Sequence, residues 1–167
     1  MRRPGPDAIV IGIGNVLLRD EGVGVAVARR LLDDAAAGGE SLPPGVHVVD
    51  GGTLGLDLLG LVESTDRLVL IDAVDVGLPP GTVSVIRDDD VHGALAGHVS
   101  PHQVGVGDLI AVARLAGVLP RQVTLVGIQP GAIEIGLDLT GDVAAAVPIA
   151  ADLVRGELAA MAVSAHA

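Results

Sequence analysis

The chain has 167 residues, half of them hydrophobic, with no cysteine and no Phe, Trp or Tyr. That length suits one domain burying roughly 70% of its unfolded surface, which excludes a disordered chain and leaves Val, Leu, Ile and Ala to build the core. Twenty-one acids face ten bases, all of them Arg, for a formal net charge of −11. A phosphate backbone is repelled and no large ring is present for a base to stack on, so nucleic acid is excluded as a partner.

The absence of cysteine removes a disulfide scaffold, a thiolate metal site and a cysteine nucleophile together. Arg2 and Arg3 precede an apolar run, but Asp7 intervenes, Gly12, Gly14 and Asn15 interrupt it, and Arg19, Asp20 and Glu21 follow. That is not the pattern of an export signal. The longest uncharged stretch, Val91 to Gly107, holds three His, a Pro and several Gly and does not suit a bilayer. A cytoplasmic protein with no membrane partner is expected, one domain over 1–167 with its core from about residue 8 to 160.

Ala8 to Ile13 is a short, wholly apolar run, as expected of a strand covered on both faces. Glu21 to Ala37 reads as a helix, with Val23, Val27 and Leu31 stacked along one side and Gly38-Gly39 ending it. Val46 to Asp50 is a second strand. Leu54 to Val62 is a short helix with Thr53 as its expected N-cap. Arg67 to Ala73 is a third buried strand, and Thr82 to Ile86 a fourth after the turn Pro79-Pro80-Gly81. Ser100-Pro101-His102-Gln103 has the N-cap, N1 and N3 residues of a capping box and opens a further helix. Gln122 to Ile128 is a fifth strand, and Thr140 to Ala160 a last helix that Pro148 is expected to kink or restart.

Strands alternating with helices predict a three-layer α/β/α sandwich around a mostly parallel sheet. Between the third and fourth strands there is room only for a loop. That pair is therefore antiparallel or not adjacent.

In such a sheet, ligands bind beyond the carboxyl ends of the strands, where the winding direction reverses. The polar residues there are few. Asn15, Asp20 and Glu21 follow the first strand, Asp50 ends the second, Asp72 ends the third, and His102 opens a later helix. Each has a purely structural alternative. Asp20 suits the N-cap of the first helix, Glu21 a first-turn acid favoured by the helix dipole, and Asp50 a partner for the Gly51-Gly52 turn. Asp72 is harder to explain that way, because it terminates a run of branched apolar residues. His102 at a helix N-terminus is kept neutral by the dipole and able to ligate a metal. His47 suits a packed or edge position within a strand, and His92 and His98 a rim.

Two carboxylates about 5 Å apart repel by roughly 3 kcal/mol at an effective dielectric of 20. A crevice gathering Glu21 and Asp72, with Asp50 as a further candidate, would be strained when empty and relieved by a divalent cation. Two oxygens and an imidazole suit Ni(II), Zn(II) or Mn(II) better than Mg(II) or Ca(II). A dinucleotide site competes, since Gly12-x-Gly14 follows a strand and Asp50 ends the next. Leu17 stands where the third glycine of that fingerprint belongs, and Asp20 and Glu21 oppose a pyrophosphate. No serine lies in a Gly-x-Ser-x-Gly elbow.

The ordered set Gly12-Ile13-Gly14-Asn15, Asp20-Glu21-Gly22-Val23-Gly24, Asp50-Gly51-Gly52-Thr53, Asp72-Ala73, Ser100-x-His102 and Gly127-Ile128-Gln129-Pro130 resembles the nickel-iron hydrogenase maturation endopeptidases. The resemblance runs from about Ile9 to Leu158. It implies a twisted five-stranded sheet between helices. It also implies an enzyme that removes a C-terminal extension from the hydrogenase large-subunit precursor after nickel insertion. Glu21, Asp72 and His102 correspond to the family's nickel-contacting positions, and its members carry no resident metal, the Ni(II) belonging to the substrate. The chemistry implied is a metal-assisted or aspartic-type hydrolysis at Asp72, Glu21 and His102, with Asp50, Asp20 and Asn15 as secondary candidates. A non-catalytic, metal-dependent chaperone for the same large subunit and a nucleotide-binding domain are the alternatives.

Overall fold

The computed structural model describes residues 5–39, 42–96 and 105–164. Its strands are β1 (Ala8–Ile13), β2 (Val46–Gly52), β3 (Arg67–Ala73), β4 (Val83–Arg87) and β5 (Gln122–Ile128). Its helices are α1 (Val23–Ala36), α2 (Leu59–Glu63), α3 (Asp89–Ala96), α4 (Val106–Leu115) and α5 (Gly141–Ser164). The strands form one sheet in the order β2-β1-β3-β5-β4, parallel except for β4, which runs antiparallel along β5. β3 and β4 are not neighbours, one of the two arrangements that the short connection between them allows. The chain winds from β1 outward to β2 and then back across to β3. The reversal therefore falls between β1 and β3, at the carboxyl ends that carry Glu21 and Asp72.

Side-chain alternation along the strands divides the core into two layers. Val10, Val69, Ile71 and Val126 face α1 and α5, while Ile9, Ile11, Leu68, Leu70 and Leu125 face α2, α3 and α4. The α5 stripe of Val143, Ala146, Ala150, Val154, Leu158 and Met161 repeats at three- and four-residue spacing and is buried throughout. Each fully buried Val, Leu or Ile contributes about 1.5–3 kcal/mol, and close aliphatic packing stands in for the absent aromatic rings.

Glycines set how closely α1 lies on the sheet. A Cβ on Gly24 would strike the carbonyl oxygens of Ile71 and Ile13, and one on Gly12 would strike the carbonyl of Gly24. The first turn of α1 thus rests directly on the ends of β1 and β3, which brings the preceding turn over the crevice.

The local expectations differ from the structure in six places. The first helix starts at Val23, because Arg19–Gly22 forms a separate 3-10 turn, and Gly22 rather than Asp20 occupies the cap position. The short helix after β2 begins as a 3-10 turn over Gly55–Leu58, flanked by Leu54 with no side-chain cap, so Thr53 does not cap it. β2 runs two residues further and β4 is displaced by one. α3 was not expected; Asp89 and Asp90 sit in its first turn, where the dipole favours them, and Val91 and Leu95 anchor it in the core. Finally, α5 passes through Pro148 as one helix to Ser164. Pro148 lies on the exposed outer face, where the carbonyl it leaves unpaired can turn toward water. The Ser100 to Gln103 capping box lies outside the described residues, and α4 has Gly105 as its N-cap, with the Asp108 carboxylate accepting the Gly105 N–H at 3.1 Å.

Candidate functional site

Asp72 is the penultimate residue of β3, registered against Gly127 of β5 and half-buried. Its Oδ1 accepts the N–H of Ala73 at 2.8 Å. Burial pushes its carboxyl up to about 8, against the opposing pull of the Ala73 bond and with added repulsion from the Glu21 carboxylate. Glu21 stands in the 3-10 turn ahead of α1, and burial raises it too. Its Oε2 is buried and has no hydrogen-bond partner among the described residues. A carboxylate with an unpartnered oxygen therefore lies near enough to Asp72 to repel it at the winding reversal, an arrangement relieved by a proton or a cation. Gly14, at φ +146°, makes this possible, since a Cβ there would strike the carbonyl of Glu21.

The residue beside Glu21 behaves in the opposite way. Asp20 is completely buried. Oδ2 accepts the N–H of Gly131, the N–H of Ala132 and the hydroxyl of Thr140, each at 2.8 Å, and Oδ1 accepts the Thr140 N–H at 2.7 Å. Burial alone would raise its carboxyl, but the bonds to Ala132, Thr140 and Gly131 outweigh it and hold the group below the ordinary range. Asp20 is thus the fastener of the loop between β5 and α5, rather than a helix cap. Arg19 assists, with Nε donating to the Asp138 carbonyl at 3.1 Å and Nη1 to Glu134 at 2.9 Å.

Gln129 plays the same part for the loop after β3. Its Oε1 accepts the N–H groups of Val76 and Leu78 at 2.9 and 3.2 Å, and its Nε2 donates to Asp75 at 2.9 Å. The roles of Asp20, Arg19, Thr140 and Gln129 escaped sequence reasoning. For Gln129 a signal existed, a polar residue closing an apolar strand as Asp72 does. For Asp20 none did, because its partners lie 111 to 120 residues away.

The other expected residues are distributed differently. Asn15 closes the turn after β1, its Oδ1 accepting the Leu17 N–H at 2.9 Å. Asp50 is exposed and takes Arg29 Nε and Nη2 at 3.0 and 2.9 Å, so it serves an ion pair to α1 rather than the glycine turn. His47 is exposed on the edge strand β2 and His92 on α3. His98 and His102 lie outside the described residues. Among the described residues, no group of three His, Asp or Glu could hold a metal. Glu21 and Asp72 supply two donors, and the third expected donor is His102.

The glycines argue against a dinucleotide. Gly24 opens α1 against strand carbonyls, where a phosphate would need free N–H groups, and Gly12 accommodates the helix itself. Among the described residues, no helix is long and apolar enough to cross a membrane.

The sequence and the overall fold are similar to those of known proteins. Residues 34–157 match the family model described as hydrogenase maturation protease. The hydrogenase expression/formation protein HupD of Rhodobacter capsulatus is 46% identical over 127 residues, 75% of this chain and 58% of its own length. The chain thus spans somewhat under two thirds of that relative. The hydrogenase 2 maturation protease of Escherichia coli is 36% identical over 151 residues, 90% of this chain and 89% of its own. The solved structure of the hydrogenase maturating endopeptidase HybD from E. coli superposes with a TM-score of 0.78 at 35% identity, over 92% of this chain and 90% of that one. With a family model matched over residues 34–157, a relative 36% identical over 90% of this chain and a solved endopeptidase of the same overall fold, the chain belongs to the hydrogenase maturation protease family.

Proposed function

We propose that the protein is an endopeptidase that removes the C-terminal extension of a nickel-iron hydrogenase large-subunit precursor, with Ni(II) carried in by that substrate. The observation that supports this best is the pairing of Asp72, raised to about 8, with Glu21, whose buried Oε2 has no hydrogen-bond partner among the described residues. Glu21, Asp72 and His102 would supply three contacts to a metal whose remaining positions are held by another protein.

Peptide hydrolysis needs a water that loses a proton as it attacks the carbonyl carbon, and a proton delivered to the departing amine nitrogen. A carboxyl raised toward neutrality can exchange a proton with that water at physiological pH, whereas an ordinary surface carboxylate is too weak a base. A cytoplasmic setting, expected from the sequence, goes with this function.

The test is the intact mass of a large-subunit precursor, nickel-loaded and nickel-free, before and after incubation with the protein. Loss of a C-terminal peptide from the loaded form alone is the expected result. No cleavage of a cognate loaded precursor would overturn the endopeptidase and favour a binding module. Equal cleavage of both forms would keep the protease and remove nickel as its signal.

A further inference from the structure

The loops at the carboxyl end of the sheet display apolar side chains that the core could have used. Those following β1, β2, β3 and β5 each expose at least one, represented by Leu17, Leu54, Val76 and Ile135. In the loops at the opposite end, among the described residues, only Leu115 at the close of α4 is comparable. The densest group joins the turn after β1 to the loop after β5. There Leu17, Ile133, Ile135 and Leu137 are 59%, 56%, 92% and 75% exposed.

These side chains are not the tips of a loose loop. Leu18 and Gly136 form a parallel bridge, with the Gly136 N–H donating to the Leu17 carbonyl and the Arg19 N–H to the Gly136 carbonyl, both at 3.0 Å. Leu17, Ile135 and Leu137 flank that bridge. Arg19 holds the segment from one side through Asp138 and Glu134, and Asp20 anchors both of its ends at Ala132 and Thr140. A backbone pinned at so many points cannot fold the four side chains inward. A fixed, solvent-facing apolar group on a chain of net charge −11 has the character of an interaction surface.

Its position says what covers it. Leu17 is four residues ahead of Glu21, and Asp20, which fastens the loop, is Glu21's neighbour. Any protein that brings a peptide bond to Glu21 and Asp72 must lie over this end of the sheet. We propose that Leu17, Ile133, Ile135 and Leu137 form a docking face for an apolar patch on the folded body of the hydrogenase large-subunit precursor, apart from the carboxylates that meet its metal. The inference rests on the proposed function for the identity of the partner. It adds that recognition has two parts, an apolar body contact and a metal contact.

The test compares the wild-type chain, the double variant Ile135→Ser/Leu137→Ser and the control Leu115→Ser. Affinity for the nickel-loaded precursor and its processing rate at saturation are measured separately. We expect the double variant to bind about tenfold or more weakly, with its saturated rate and melting temperature close to wild type, since both side chains are exposed in the free protein. Leu115→Ser should match the wild type. Unchanged affinity of the double variant, equal weakening by Leu115→Ser, or a wild-type chain that does not bind the precursor would each overturn the docking face. Binding that is weakened by the double variant in a wild-type chain that never cleaves would support the docking face while discarding the endopeptidase.

Discussion

Asp20 and Glu21 are adjacent in the sequence, and the fold treats them in opposite ways. Asp20 is fully buried and saturated, with four hydrogen bonds drawn from a distant loop, and its carboxyl is held below the ordinary range. Glu21 keeps a buried oxygen without a partner among the described residues and lies close enough to Asp72 to raise it further. Burial opposes ionisation in both neighbourhoods, so burial does not separate them. Donor supply does. Where the fold delivers donors, the charge becomes a structural fastener; where it withholds them, the carboxylates stay reactive and ready for a cation.

The largest effect that would break this contrast is removal of the fastener. Asp20→Ala orphans the Gly131, Ala132 and Thr140 donors in a buried place, and about 3–5 kcal/mol of stability should be lost in urea unfolding. The wild-type chain should also show acid sensitivity of a definite sign. Asp20 lies lower in the folded chain than in the unfolded one, so its contribution is present above the unfolded value and is lost as pH falls through the folded one. Asp20→Ala should flatten that acid limb. A variant as stable as the wild type would show that the loop between β5 and α5 is held by something else.

The same substitution logic inverts at Asp72. Its carboxyl is raised from 3.8 to about 8, so the folded state favours the protonated form and is progressively penalised as pH rises between those values. Asp72→Asn removes a charge the metal-free fold does not want. The variant should melt at least about 3 °C higher than the wild type at pH 8.5, with a smaller gain at pH 5.5, by calorimetry without metal. It should at the same time lose processing of the precursor. A lower melting temperature at pH 8.5 would mean that Asp72 is satisfied, like Asp20, and the contrast between the two neighbourhoods would fail.

How much of this was legible in advance follows from range. The strands β3 and β5 and the apolar pattern of α1 are local signals and were readable to within a residue or two, because burial on both faces leaves unbroken branched runs. Asp72 was legible because an ionisable group at the end of such a run has few structural excuses. The 3-10 turn over Arg19–Gly22 was not, because its geometry is imposed by Asp20 bonding to residues beyond position 130. α3 was legible in principle from Val91 and Leu95 behind two acids, yet Gly93 and the neighbouring histidines masked the helical spacing. Sequence proximity misleads most at Asp20, where an ordinary capping residue and a long-range fastener look alike.

Asp50 provides the smallest and sharpest comparison, because it is a third carboxylate at a strand's carboxyl end with a third solution. It is neither buried and saturated nor buried and orphaned, but exposed and paired with Arg29. Exposed pairs of this kind contribute little, so Arg29→Ala should change stability by no more than about 0.5 kcal/mol, and added salt should erase the difference. The informative readout is processing. If Asp50 only tethers β2 to α1, the variant cleaves the precursor at the wild-type rate. If the rate falls severalfold while stability holds, the released carboxylate is competing with Glu21 and Asp72 for the incoming cation, and the site extends to the edge of the sheet. The exposure of Asp50 favours the first outcome, since a carboxylate that water still screens once the guanidinium is gone attracts a cation only weakly.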